Sequence, residues 1–296
     1  MDPIYQHKSV LVTEVLQYLD PQPGGIYIDV TFGGGGHTRA ILEQQKNCSV
    51  VALDWDKHAL ELNGEKLQQE YPDRVQLVWG NFAQLYTLLK KADIAAVNGI
   101  LADFGTSQYQ LKHGAGFSFS QDTPLDMRMS PAHQKVTAAE LVNKASEEKL
   151  RQLFWQLGEE KYAKQIVNAI AAKRKDHYIG TTKELATIIE HAVPVRGKIH
   201  PATRVFQALR MYINHELENI QSFLSEAVRV LQPGGRLVVI SFHSLEDRLV
   251  KQFFSQRALQ GGFNLLTPRA VVASEDEILT NPSSRSARLR AIEKVA

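Results

Sequence analysis

The chain has 296 residues, 44% of them apolar, enough for about two domains with full cores. Its single cysteine, Cys48, excludes an internal disulfide and a CxxC zinc site and fits a reducing, cytoplasmic setting. Lys and Arg number 34 against 32 Asp and Glu, a formal charge of +2, which argues against holding nucleic acid by bulk charge but leaves a local basic surface open. No signal peptide is read in the first 18 residues. The longest apolar runs, such as Leu237–Ile240, fall far short of the ~20 residues that span a bilayer, so no membrane association is expected.

Ile26-Tyr27-Ile28-Asp29-Val30 reads as a buried strand that runs into four consecutive glycines, Gly33–Gly36, and then a helix over about 37–44. A second strand, Val50–Asp54, precedes an amphipathic helix over 57–70 carrying Ala59, Leu60, Leu62 and Leu67. Val75–Val78 is a third strand, and Ile100–Asp103 ends a fourth. Strands alternating with helices imply βαβ units and a parallel sheet covered on both faces. Between Lys112 and Met211 only helical periods are found. Ser146 is placed to cap a helix carrying Leu150, Leu153, Phe154 and Leu157, and Thr181 with Glu184 forms a capping box before Leu185, Ile188 and Ile189. One long helix is expected from Phe206 through Leu224. Pro233-Gly234-Gly235 breaks it before a fifth strand, Arg236–Ile240, and a helix over about 244–254. Residues 255–296 show little pattern beyond an apolar stretch near Ala270–Ala273. The expected organisation is an α/β domain over 1–111 and 212–296, interrupted by a helical insertion over 112–211.

The glycine run between a strand and a helix makes a backbone platform on which a cofactor can lie closely. Asp54, 18 residues past Gly36, stands where a carboxylate can accept from both ribose hydroxyls of an adenosine. A dinucleotide fingerprint wants a small residue at the place of Thr38, and here an acid, Asp29, precedes the glycines. That order resembles the first motif of class I S-adenosylmethionine-dependent methyltransferases, in which such an acid meets the cofactor's methionine ammonium; an NAD-linked oxidoreductase is the alternative.

Six motifs occur in order: Asp29-Val-Thr-Phe-Gly-Gly-Gly-Gly-His37, Asp103-Phe-Gly-Thr-Ser-Gln-Tyr-Gln-Leu111, Gly116-Phe-Ser-Phe119, Pro124-Leu-Asp-Met-Arg-Met129, His200-Pro-Ala-Thr-Arg-Val-Phe-Gln-Ala-Leu-Arg210 and Ser241-Phe-His-Ser-Leu-Glu-Asp-Arg248. Together they resemble the bacterial small-subunit rRNA cytosine-N4 methyltransferase family, the RsmH or MraW type, from His7 to about Arg288. The resemblance implies a class I methyltransferase fold with a helical insertion that recognises substrate. It also implies methyl transfer from S-adenosyl-L-methionine to the exocyclic amine of a cytidine in the decoding centre of 16S rRNA, within the small ribosomal subunit. By motif, it implies cofactor contacts at Gly35, Gly36 and His37, ribose at Asp54, adenine by Phe82, and a pocket completed by Asp103 and Gln110. The family's Ser-Ser-x-Gln-Leu-Asp run reads Ser107-Gln108-Tyr109-Gln110-Leu111-Lys112 here, so no role passes to Lys112.

Cytosine's amine is a poor nucleophile, and an acceptor drawing its N–H bonds out of plane would free the lone pair. Asp103, in an Asp103-Phe104-Gly105-Thr106 turn without prolines, is the candidate acceptor, and His243, just past the fifth strand, is the second catalytic candidate. Methylation of a ring carbon would need a cysteine near this turn; Cys48 lies before the second strand and reads as a buried hydrophobe. No HExxH or similar spacing supports a metal site. Asp126 and Arg128 either line the site or form an ion pair. Three acid-free basic runs, Lys161–Lys175, His191–His215 and Asn281–Arg290, suggest RNA phosphate contact, with Lys173 and Arg204, beside Arg128, as substrate-binding candidates. A non-catalytic RNA-binding factor on the same fold is a third reading.

Overall fold

The computed structural model describes residues 8–104, 114–131, 134–194 and 199–295. It divides into two compact units, Met1–Gly105 with Leu217–Ala296, and Thr106–Glu216.

The first unit is built on one sheet. Its strands are β1 (Ile26–Asp29), β2 (Ser49–Asp54), β3 (Val75–Trp79), β4 (Val97–Asp103), β5 (Leu231–Ser241), β6 (Phe263–Leu265), β7 (Val271–Val272) and β8 (Arg288–Lys294). The order is β3-β2-β1-β4-β5-β8-β6, with β7 also on β8. Strands β1 to β5 pair in parallel, and β8 runs antiparallel to β5. A doubly wound parallel sheet closed by one reversed strand is the class I methyltransferase fold. Strand order reverses between β1 and β4, and the crevice beyond their carboxyl ends is where such sheets bind ligands.

The strands alternate sides, so each contributes to two cores. Tyr27, Val50, Ala52, Leu101, Val238 and Ala291 face one layer, with helices α1 (Val12–Leu19) and α2 (Gly36–Gln44). Ile28, Val51, Leu53, Ile100, Val239 and Ile292 face the other, against Phe223 and Phe254. The stretch over 57–70 is α3 (Lys57–Ala59), a π turn (Leu60–Gly64) and α4 (Glu65–Glu70). Helix α5 (Leu85–Lys91) leads to β4.

The second unit holds α6 (Ala138–Lys144), α7 (Glu147–Gln156), α8 (Ala163–Lys173), α9 (Thr182–Ala192) and α10 (Ala202–Ile213). Its core includes Phe154, Ile166, Ile189 and Leu209, all fully buried. Ser146 caps α7 through the Lys149 N–H, and Thr181 and Glu184 form a capping box on α9. Among the described residues this unit has no strand, only an isolated bridge between Pro124 and Thr181.

Two sequence expectations fail here. The single helix from Phe206 to Leu224 is two, α10 and α11 (Glu216–Val230). It breaks because Asn214 turns inward to donate to Met127 O and accept from Met129 N, each at 2.8 Å, while His215 takes φ 51°. The compact helical unit runs to Glu216. The second failure is the C-terminal segment, which is not patternless. After α12 (Ser244–Leu259) it supplies β6, β7, α13 (Glu275–Thr280) and β8, and β8 sits inside the sheet. Its alternation was hidden by Arg290, a buried arginine whose guanidinium is neutralised by Asp247 of α12 at 2.7 Å.

Candidate active site at the carboxyl edge of the sheet

The crevice is assembled from strand ends. Asp29 ends β1, Asp54 ends β2 and Asp103 ends β4. The glycine loop follows Asp29 and enters α2 at Gly35, whose φ of 74° favours glycine and where a Cβ would lie 2.8 Å from the Phe32 ring. A Cβ on Gly36 would meet Ser9 Oγ at 2.3 Å, so the loop lies flat against the N-terminal segment.

Asp54 is tied to this loop. One carboxylate oxygen accepts the Gly33 N–H at 2.7 Å and the other the Asp56 N–H at 2.8 Å. Burial nevertheless pushes its pKa up to about 7, against the lowering effect of those two bonds. Asn63, from the π turn, donates to Gly33 O at 3.0 Å and braces the loop from the other side. Asp29 is fully buried and accepts from the Thr38 hydroxyl at 2.8 Å and the Thr31 N–H at 3.2 Å. Burial raises its pKa, and His37 opposes the rise. The Asp103 N–H donates to Thr31 Oγ1 at 2.7 Å, so Thr31 links the two strand ends at the switch point.

His37 and Asp103 stand apart from this satisfied network. The His37 ring is 95% buried, and among the described residues neither nitrogen has a hydrogen-bond partner; Asp103 Oδ1 is buried and likewise without one. His37 Nε2 is 3.5 Å from Asp103 Oδ2, beyond a well-formed hydrogen bond. Orphaned polar atoms at this depth are costly. They are donors and acceptors held ready for a ligand, and a zwitterionic amino acid bearing a nucleoside fits them together with Asp54. Phe82 lies on a 3-10 turn (Phe82–Gln84) capped by Asn81, its ring half-buried against Phe104 and Phe223 at 5.8 and 5.5 Å. Gln110 falls outside the described residues.

His243 sits at the end of β5 but serves as the N-cap of α12. Its Nδ1 accepts the Glu246 N–H, while Glu246 accepts from the backbone of 242 and 243. Nε2 lies 3.1 Å from Glu246 Oε1 without hydrogen-bond alignment.

The basic runs resolve unevenly. In the first, Arg174 donates to Val142 O and Ala145 O and closes a helix end, whereas Lys161, Lys164, Lys173 and Lys175 are exposed. In the second, Arg210 pairs with Glu216 and His200 with Glu190, whereas half-buried Arg204 has no such ion pair among the described residues. In the third, Arg290 is buried on Asp247, which removes it from any phosphate surface. Within the helical unit, Arg128 is held by Asp126 at 2.7 and 2.8 Å and by Gln134 O. Sequence reasoning missed Thr31, Thr38 and Asn63, which order the loop; nothing in their spacing marks them.

The sequence profile of the MraW methylase family matches residues 4–295. The chain belongs to that family. It is 46% identical to ribosomal RNA small subunit methyltransferase H of Syntrophotalea carbinolica, over 99% of both chains. It is 47% identical to the protein of that name from Thermomicrobium roseum, over 98% of this chain and 94% of the relative. Among solved structures, a putative methyltransferase from Streptococcus mutans in complex with SAH is similar over 97% of this chain and 99% of its own, with 15% identity and a TM-score of 0.43. Membership of a methylase family removes the NAD-linked alternative. Among the described residues no helix is long and apolar enough to cross a membrane.

Proposed function

We propose that this protein methylates the exocyclic N4 amine of a cytidine in the decoding centre of small-subunit (16S) rRNA. S-adenosyl-L-methionine, when bound, supplies a methyl group activated by its sulfonium. The observation that carries the reading is the unpartnered pair His37 and Asp103 beside the Asp54-anchored glycine loop. Relatives of nearly full length named small subunit methyltransferase H support the substrate class.

In this reading the Gly33–Gly36 backbone and His37 receive the amino-acid end of the cofactor, Asp54 takes the ribose hydroxyls, and Phe82 flanks the adenine. Asp103 Oδ1 accepts an N–H of the target amine, turns the lone pair out of conjugation and holds the amine in line. The amine sheds a proton as the new N–C bond forms, and a carboxylate at this position is its nearest acceptor. Residues of the helical unit, with Lys173 and Arg204 on its surface, contact RNA phosphates. His243 acts by fixing the start of α12 at the carboxyl edge of the sheet.

Cys48 bears on which atom is methylated. It lies at the amino end of β2, its thiol against Ile41 O and Gln45 O, and burial raises its pKa. The six residues of β2 put it about 20 Å from the crevice. A covalent ring-carbon route therefore has no nucleophile in Cys48. The reading is tested by nucleoside mass analysis of 16S rRNA from cells with and without the protein, and by transfer of labelled methyl to purified small subunits. A modified cytidine that does not depend on the protein would refute it.

A further inference from the structure

A second cavity, of about 360 Å3, opens on the same edge of the sheet, where β5 ends and β8 begins. Arg285, Ser286, Arg288, Ser244 and His243 line it, with Val272 at its margin. Ser241 of β5 pairs with Arg288 of β8, and Asp103 of β4 pairs with Ile240 of β5. The cavity is thus two strand steps from Asp103, on the order of 10 Å at about 5 Å per step.

The acids beside it are already engaged, whereas Arg285 is not and Arg288 is engaged only in part. Glu246 accepts from the backbone of 242 and 243, and Asp247 is saturated by Arg290 and by one nitrogen of Arg288. The Arg288 side chain is half exposed and keeps its remaining guanidinium donors. Arg285 is exposed and has no hydrogen bond or ion pair among the described residues. The turn presenting it is firmly built: buried Ser284 donates to Asn281 O at 2.8 Å, the Ala287 N–H returns to Ser284 O at 3.0 Å, and Asn281 donates to Lys8 O at 2.9 Å. Two guanidinium groups and a serine hydroxyl on a fixed frame match the oxygens of a phosphate.

We propose that this cavity binds a phosphodiester of the polynucleotide whose base enters the crevice, one or two nucleotides from the methylated position. The proposal rests on the rRNA reading above. It gives the α/β unit its own grip on the strand, independent of the helical unit's lysines.

The test uses the full chain and a labelled single-stranded RNA of about a dozen nucleotides, titrated by fluorescence anisotropy across a salt series. Arg285→Ala is expected to weaken binding about threefold to tenfold at low salt and to flatten the log K against log salt slope by about 0.7, one phosphate's worth. Arg285→Lys should recover most of the slope, and Ser286→Asp should mimic the loss. Cofactor affinity and thermal midpoint should stay at wild-type values. An unchanged slope in both Arg285→Ala and Ser286→Asp would overturn the proposal. So would displacement of the Arg285-dependent signal by inorganic phosphate or a nucleoside monophosphate as effectively as by RNA, which would mark a small-anion site. Absence of methyl transfer to small subunits with the Arg285-dependent slope intact would count against the proposed function and leave the phosphate site standing.

Discussion

The ribose contact proposed for Asp54 makes nucleoside binding depend on pH. In the free protein its pKa stands at about 7, raised by burial from 3.8. In the proposed mode ribose hydroxyls donate to the ionised carboxylate, so the nucleoside selects the charged form. Affinity is at its plateau well above pH 7 and falls as pH drops through it. With a single site of pKa about 7, the dissociation constant is about tenfold weaker at pH 6 and about 30-fold weaker at pH 5.5, close to 1.4 kcal/mol at the first of these. Adenosine is the right probe, because it carries the ribose and has no group of its own that titrates in this window. Calorimetry in two buffers of different ionisation enthalpy should register about half a proton released per adenosine near pH 7. Fold stability moves the opposite way. A raised carboxylate contributes stability that is present below its unfolded pKa and lost as pH rises through 7, and the loss is at most about 4 kcal/mol, less for a carboxylate partly open to solvent. Adenosine should therefore raise the thermal midpoint more at pH 8 than at pH 6. A flat affinity between about pH 5.5 and 8.5, with no buffer-dependent heat, would refute the reasoning, and so would the same pH dependence in Asp54→Asn.

Other expectations are sharp enough to check. Asp103→Asn should bind adenosine normally and lose at least about a hundredfold in methyl transfer at saturating cofactor and RNA; near-normal turnover would remove Asp103 from catalysis. Gly35→Ala, forced to a φ of 74° with a Cβ against Phe32, should weaken adenosine binding more than tenfold and lower stability by about 1–3 kcal/mol, read by titration and denaturant unfolding. Asp247→Ala strands the buried Arg290 and should cost about 3–5 kcal/mol in denaturant unfolding. Cys48→Ala should leave methyl transfer at the wild-type rate, since the thiol is remote from the crevice; a dead but folded variant would reopen the covalent route.

How far the molecule could be read from its sequence depended on where burial is symmetric. Parallel strands covered on both faces read as continuous apolar runs, and three of them end in an aspartate at the crevice, so β1, β2, β4 and their aspartates were legible. Strand β8 was not, because Arg288, Arg290 and Glu293 interrupt its apolar residues and only a tertiary partner, Asp247, makes Arg290 tolerable inside. The break after α10 was hidden for a similar reason: Asn214 is polar and buried, and two of its side-chain hydrogen bonds reach a loop some 85 residues earlier. His243 reads as a catalytic candidate from its place just past the fifth strand, whereas the geometry spends Nδ1 on capping. Basic runs give the number of cations but not which are consumed, as Arg174, Arg210 and Arg290 are. The loop's bracing by Thr31, Thr38 and Asn63 has no periodic signature at all.

The helical unit interrupts the sheet between its two most central strands. On the ribosome, β4 is finished at Asp103, and β5 begins only at Leu231, 128 residues later. At about 5–20 residues per second, the apolar flank of β4 waits on the order of ten seconds for its neighbour. Meanwhile the helical unit emerges whole and carries its own core. β8, which covers the far side of β5, arrives last of all. The nascent chain is thus exposed to strand-to-strand misassociation longest at the strand that carries Asp103, so its yield should respond to chaperone supply during synthesis more than its equilibrium stability would suggest.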